Sequence, residues 1–167
     1  MRAPFEHFAR LLDYPGPDLA YEVRTCAEAL AGERPEAAKG LQAFAEAVRQ
    51  QGTSAIQRQY SAVFDLDPSC SLYAGHQLLG EGWRRSAMMV ELRRHFRESR
   101  FEEGGELPDH LCTLLRYVSR CPDGEEASDM VAACIAPALA RIRDGLARRQ
   151  NVYLSLVAAV ADVLGAP

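Results

Sequence analysis

Apolar residues recur at helical spacing along almost the whole 167-residue chain, and useful stretches of alternating polar and apolar residues are missing. A period near 3.6 marks one face of a helix, whereas strands need a period of two. Proline and glycine interrupt the pattern, first in Tyr14-Pro15-Gly16-Pro17 and again near Gly32. The spacing predicts an all-α, single-domain helical bundle of about seven to eight helices over residues 1–167.

The same pattern gives approximate helix boundaries, with turns and loops at the breaks. Cys121-Pro122-Asp123-Gly124 is a turn, and Pro137 either kinks a helix or starts another. The predicted helices cover Pro4 to Leu12, Asp18 to Leu30, Ala37 to Val48, Thr53 to Val63, Leu72 to Leu79, Trp83 to about Ser99, Pro108 to about Arg120, Val131 to Leu146, and Tyr153 to Leu164.

Composition excludes several classes of protein. A hydrophobic content of 48%, a charged content of 25% and a net charge of -4 are ordinary for a globular protein and unfavourable for nucleic-acid binding. The most apolar stretch, Val152 to Leu164, is too short to span a bilayer, and the N-terminus lacks the apolar run of a signal peptide. The five cysteines form no Cys-x-x-Cys pair and read as free thiols. We expect a cytoplasmic protein without direct membrane insertion.

Motifs of catalysis are missing from the sequence. Asp65-x-Asp67-x-Ser69 begins like a calcium loop, but Cys70 and His76 occupy the positions that need glycine and glutamate. No nucleophile elbow or phosphate-binding glycine loop is present. We therefore predict no enzyme, no metal and no cofactor. A small metal-dependent hydrolase using His76 and Glu81 with Asp65 or Asp109 stays an alternative.

A mixed polar strip lies in the middle of the chain. Tyr73, His76 and Gly80 project from one side if their segment is helical, with Arg84 a further turn on. His76 is either part of a site or a buried histidine bonded to a carboxylate, and Arg85 is expected on a solvated face near Glu81.

An acidic loop follows this strip. Four carboxylates and no basic residue lie between Glu102 and Asp109. They either solvate a loop, with Asp109 in the first turn of the next helix, or face a cationic peptide.

Segments from Tyr60 to Tyr117 resemble a known family. Leu11-Leu12-Asp13-Tyr14-Pro15 also looks like that family's opening signature, whereas Arg85-Ser86 and Cys112 depart from its pattern. The matching motifs are Phe64-Asp65, Leu72-Tyr73, His76, Gly80-Glu81, Arg84 or Arg85, and Glu106-Leu107-Pro108-Asp109. Together they resemble the nitrate reductase delta-subunit family of molybdenum cofactor assembly chaperones, within the all-helical group that also serves sulfoxide and amine-oxide reductases.

The resemblance implies a cytoplasmic chaperone for nitrate assimilation and protein folding, which binds an incompletely folded client. Its client would be the catalytic (alpha) subunit of a molybdenum-containing reductase, in particular a nitrate reductase, bound through its N-terminal segment during cofactor insertion. The chain would act as a monomer or dimer; a structural subunit of a reductase complex is the other alternative. The expected client-peptide site consists of Tyr60, Phe64, Asp65, Tyr73, His76, Glu81, Arg84, Glu106, Leu107, Asp109 and Leu115.

Overall fold

The computed structural model describes residues 3–165, in which helices joined by turns and loops are the regular secondary structure. The α-helices are α1 (Ala3–Leu11), α2 (Leu19–Leu30), α3 (Pro35–Gln51), α4 (Thr53–Tyr60), α5 (Ala74–Leu79), α6 (Trp83–Glu98), α7 (Leu111–Arg120), α8 (Gly124–Met130), α9 (Ala136–Arg149) and α10 (Tyr153–Val163). The described range has no strand, only an isolated antiparallel bridge between Tyr73 and His110. The all-α prediction is confirmed.

Two short π-helical segments lengthen the helices. Ser61–Asp65 continues α4, and Val131–Ile135 joins α8 to α9 without leaving helical geometry. The helix therefore continues through Pro137. Its ring and missing N–H would disturb the preceding turn of an α-helix, and that turn is here the wider π-helical segment Val131–Ile135. Counted as continuous runs, the described residues contain nine helices, against about seven to eight expected.

The helices pack in neighbouring pairs around one continuous apolar core. α2 packs on α3, α3 on α10, α10 on α9, and α1 on α7. The α3–α10 contact is close: a Cβ added at Gly40 would lie 3.0 Å from the Ser155 carbonyl oxygen. The assignment of residues 1–167 to a single domain stays a prediction.

Aromatic rings form the centre of the core. Tyr153 contacts Phe44, Phe64 and Tyr60, with ring centroids 4.9, 5.0 and 5.8 Å away. The Tyr60 hydroxyl donates to the Leu12 carbonyl at 3.1 Å, which links this cluster to the end of α1. All five cysteines are buried and unpaired, as predicted from their spacing.

The start of α7 differs from the sequence prediction. Pro108 and Asp109 form a turn, and α7 begins at Leu111 with His110 as its N-cap. The reason is tertiary pairing, since the Leu111 N–H donates to the Leu72 carbonyl at 2.8 Å and the Ala74 N–H donates to the Asp109 carbonyl at 2.7 Å. The same bonds delay the start of α5 to Ala74.

The Tyr153 hydroxyl provides a test of the core. It is buried and has no hydrogen-bond partner among the described residues. Tyr153→Phe removes only this unsatisfied group, so we expect the free energy of unfolding to stay unchanged or to rise. Tyr153→Ala removes the ring and should lower it by about 3–5 kcal/mol. Urea denaturation measures both; equal losses in the two variants would contradict this packing.

Candidate functional site

Three segments that are separate in the sequence meet at the predicted site. They are α5, the beginning of α6, and the 106–110 segment that leads into α7. The backbone pairing of residues 72–74 with 109–111 fixes their relative position. Side chains from all three form a network of hydrogen bonds and ion pairs, which we call the Arg85 network: Tyr73, His76, Glu81, Arg85, Glu106, Asp109 and His110.

A buried ion pair lies at the centre of the Arg85 network. Arg85 Nε donates to Asp109 Oδ2 at 2.7 Å, and a terminal guanidinium nitrogen donates to Oδ1 at 3.3 Å. Asp109 is fully buried and Arg85 is 9% exposed. The hydrogen bond to Asp109 raises the pKa of Arg85 above its usual value. Because its charge is already paired inside the protein, Asp109 is not available to face a cationic peptide, and it lies in the turn before α7 and not in the first turn of a helix.

Gly75 makes room for this pair. A Cβ built at Gly75 would lie 2.6 Å from Asp109 Oδ2 and 3.1 Å from Arg85 Cγ. Real Cβ atoms do not approach that closely, so any larger residue would displace the carboxylate from the guanidinium. Gly75 is thus part of the site although it has no side chain to contribute.

A more exposed layer covers the ion pair. Glu81 Oε1 accepts a hydrogen bond from Arg85 at 2.7 Å and lies 2.9 Å from His76 Nδ1. These contacts, first with His76 and then with Arg85, lower the pKa of Glu81. The contact confirms that Arg85 reaches Glu81, whereas the prediction of a solvated face for Arg85 is wrong.

Tyr73 connects the layer to the acidic loop. Its hydroxyl donates to Glu106 Oε2 at 2.6 Å, and its ring lies 5.2 Å from the Arg85 guanidinium and 5.0 Å from the His110 ring. Partial burial, followed by the neighbouring Glu106, raises the pKa of Tyr73 to about 12. The exposed carboxylates of this network therefore already have partners within the chain.

The remaining predicted site residues lie outside the Arg85 network. Tyr60, Phe64 and Leu115 are 6%, 4% and 0% exposed and belong to the core, so they do not line an open pocket in this conformation. Asp65 and Arg84 are exposed but make no contact with the Arg85 network, and Leu107 is 42% exposed beside Glu106. Among the described residues, no three histidine, cysteine, aspartate or glutamate side chains are placed to hold a metal ion.

A second feature of the surface was not predicted from the sequence. A groove of about 1220 Å³ runs between α1, α2, α8, the π-helical segment before α9, and the end of α10. Its walls include Phe5, Leu11, Tyr21, Leu30 and Val131. The volume exceeds the roughly 300–1,000 Å³ of pockets for small molecules. An apolar groove of this size, open to solvent, suits a peptide segment.

Charges of both signs line the groove. Glu22 and Glu33 have no ion-pair partner among the described residues, Arg34 is likewise unpaired, and Arg10 lies 4.0 Å from Glu6. Small side chains such as Ala132 form part of the wall and leave room for an occupant. The groove thus combines apolar walls with a polar rim that carries charges of both signs.

Comparisons with known proteins agree with the motifs. A family model described as "Nitrate reductase delta subunit" matches residues 27–158. The chain belongs to the nitrate reductase delta subunit family. It is similar to two proteins named "Nitrate reductase molybdenum cofactor assembly chaperone NarJ", from Escherichia coli strain K12 and Escherichia coli O157:H7.

Each of these relatives is 30% identical over 152 residues, which is 89% of this chain and 64% of the relative. The chain therefore spans slightly less than two thirds of the length of the curated relatives it matches. Residues 27–158 contain the whole Arg85 network and half of the 24 residues that line the groove.

Sequence reasoning missed Arg85 as a buried residue, although a signal for it was present. Leu92 and Phe96 are buried on one face of α6, and Met88 packs against the core on the same face. Arg85 lies seven residues, or about two helical turns, before Leu92 and therefore continues this buried stripe, whereas Arg84 is rotated by about 100° around the helix from Arg85. No comparable signal marked the groove, because it forms between helices that are distant in the sequence.

The Arg85–Asp109 pair can be tested on stability. Arg85→Met leaves the buried Asp109 charge without its partner and should lower the free energy of unfolding by about 3–5 kcal/mol. Combining Arg85→Met with Asp109→Leu should cost less than the sum of the single changes. Arg94→Met, which breaks an exposed pair on the same helix, should cost only about 0–1 kcal/mol. Equal losses for Arg85→Met and Arg94→Met would refute the role of the buried pair.

His110 makes a separate prediction for pH. Burial lowers the pKa of its imidazole, and its Nδ1 accepts the Cys112 N–H at 3.3 Å, which requires that nitrogen to be unprotonated. The unfolded chain binds the proton first, near pH 6.5, so the free energy of unfolding should fall as the pH is lowered from 7.5 to 5.5. His110→Asn keeps an N-cap acceptor and should show a smaller loss over this range. Denaturation curves at both pH values provide the measurement, and identical losses would exclude this effect.

Proposed function

We propose that this chain is an assembly chaperone for a molybdenum-containing reductase. It would bind the N-terminal segment of the catalytic subunit of a nitrate reductase in the groove between α1, α2, α8 and α9. Cofactor insertion and assembly would follow while the segment is held, in the cytoplasm. Membership of the nitrate reductase delta subunit family and the names of its relatives support the chaperone role.

The groove is the observation that carries the choice of site. Helix-in-groove recognition needs an apolar channel for one face of the peptide, and the walls with Phe5, Leu11, Tyr21 and Leu30 provide one. Glu22 and Glu33, which have no ion-pair partner among the described residues, lie on the α2 side, where arginines of the bound segment would find carboxylates. Because Arg10 and Arg34 share the rim, we assign affinity to the apolar walls and orientation to the charges.

The Arg85 network is the other candidate for this site. Its exposed members, Tyr73, His76, Glu81 and Glu106, remain predicted contacts of the client, together with Leu107. However, a client arginine would have to compete there with Arg85 and Tyr73, which already bond Glu81 and Glu106. The groove offers unpaired charges and a larger apolar surface, and we therefore favour it.

No specific observation favours the two alternatives. In the hydrolase alternative, His76 and Glu81 would act with Asp65 or Asp109, but Asp109 is held by Arg85 and Asp65 lies outside the network. Within the described residues, no helix is long and apolar enough to cross a membrane. Stable co-purification at a fixed stoichiometry with a reductase would indicate the structural-subunit alternative.

Calorimetric titration with N-terminal peptides of the molybdenum reductase catalytic subunits encoded in the same genome tests the proposal. We expect micromolar or tighter binding of one peptide. Ala132→Trp places a large side chain in the groove and should weaken binding by about tenfold or more, which corresponds to about 1.4 kcal/mol. Ala133→Trp is the matched control, because Ala133 is also exposed but does not line the groove.

The same titration separates the two sites. Tyr73→Ala and Glu106→Lys should leave peptide affinity unchanged if the groove is the site. If instead these two variants lose affinity while Ala132→Trp retains it, the Arg85 network binds the client and the groove does not. Absence of binding by every peptide would overturn the chaperone proposal itself.

A further inference from the structure

An apolar stripe is exposed on the outer face of α6. Trp83 is 76% exposed, Val90 is 62% exposed, and Ala87 between them is also exposed. Their spacing of four and three residues places them on one face over two helical turns. The opposite face carries Leu92 and Phe96 in the core. α6 is therefore apolar on two sides, of which the fold covers only one.

The arginines of α6 distinguish this stripe from an ordinary solvated surface. Arg85, Arg93 and Arg94 each pair with carboxylates of the same chain. Arg84 and Arg97 have no carboxylate partner among the described residues, and the Arg84 guanidinium lies 5.7 Å from the centre of the Trp83 ring. Thirteen residues separate these two arginines, or about 20 Å along a helix. Arg84 thus lies beside Trp83 at one end of the stripe, and Arg97 lies about two helical turns beyond Val90, in a chain whose net charge is -4.

We infer that the α6 stripe, Trp83, Ala87 and Val90 with Arg84 and Arg97, binds an acidic segment with an apolar face on the body of the catalytic subunit. The inference rests on the proposed function and adds a contact outside the groove. Apolar side chains of the partner cover Trp83 and Val90, and its carboxylates pair with the two free guanidinium groups. Trp and Arg are the residue types most often found at the energetic centre of protein interfaces.

An anionic membrane is a weaker occupant for the same surface. Glu91 and Glu98 lie on α6 and are exposed, and each accepts a hydrogen bond from Arg94. Their negative charge opposes binding to anionic lipid, and Ala87 and Val90 offer little apolar depth for insertion. A protein segment can instead place its charges to match both signs.

Trp83 is the only tryptophan of the chain, which makes the inference directly measurable. Fluorotryptophan incorporated into this protein alone gives a single ¹⁹F resonance, whatever the tryptophan content of the partner. The probe is the full-length, cofactor-free catalytic subunit of the client reductase, added after the groove has been saturated with excess N-terminal peptide. We expect the peptide alone to leave the resonance in place and the subunit to shift it.

Two variants that introduce a negative charge complete the test. Val90→Glu and Arg97→Glu should weaken binding of the subunit to the peptide-saturated protein by about tenfold or more. Leu66→Glu is the matched control, because Leu66 is 78% exposed and lies outside α6. Val90→Glu should leave the peptide affinity unchanged, so failure of this inference is separable from failure of the proposed function.

Four results would overturn the inference. They are no binding of the subunit once peptide is saturating, equal binding by Val90→Glu and the original protein, a shift of the Trp83 resonance by the peptide alone, and a shift caused by anionic vesicles without the subunit. Self-association that is abolished by Val90→Glu would likewise assign the stripe to a second copy of this chain.

Discussion

The buried pair of Arg85 and Asp109 is the interaction on which the rest of the site depends. It joins the first turn of α6 to the turn before α7, and the missing side chain of Gly75 lets α5 pack directly against it. Burial makes an isolated charge costly, so both partners must be present together. The pair therefore fixes the relative positions of α5, the start of α6 and the turn before α7.

This arrangement separates a rigid part of the molecule from an accessible one. In the Arg85 network, Glu81 and Glu106 are exposed yet bonded to Arg85 and Tyr73, so the network stabilises the fold and offers few free groups. The groove has the opposite character: its apolar walls are open to solvent, and the carboxylates of Glu22 and Glu33 at its rim have no ion-pair partner in the part of the chain that the structure describes. In this account, the motif residues of the Arg85 network stabilise the fold, and the client binds at the groove.

Much of the fold could be predicted from the sequence, because helical periodicity and proline or glycine breaks are local signals. The predicted helix boundaries were wrong where tertiary hydrogen bonds determine them. Pro108 lies in a turn because the Leu111 N–H donates to the Leu72 carbonyl. The site was harder to predict. Arg85 could have been recognised from its place on the buried face of α6, but Gly75 acts only through the space it leaves, and the groove forms between α1 and α2 near the start of the chain and helices beyond residue 123.

Amide hydrogen exchange with and without the client's N-terminal peptide tests the central claim most directly, since it locates the bound segment without any substitution. The account predicts slower exchange in α2 and in residues 124–137, which form the groove walls, and no change in residues 72–84 or 106–111. Protection confined to residues 72–84 and 106–111 would contradict it, because the client would then bind at the Arg85 network.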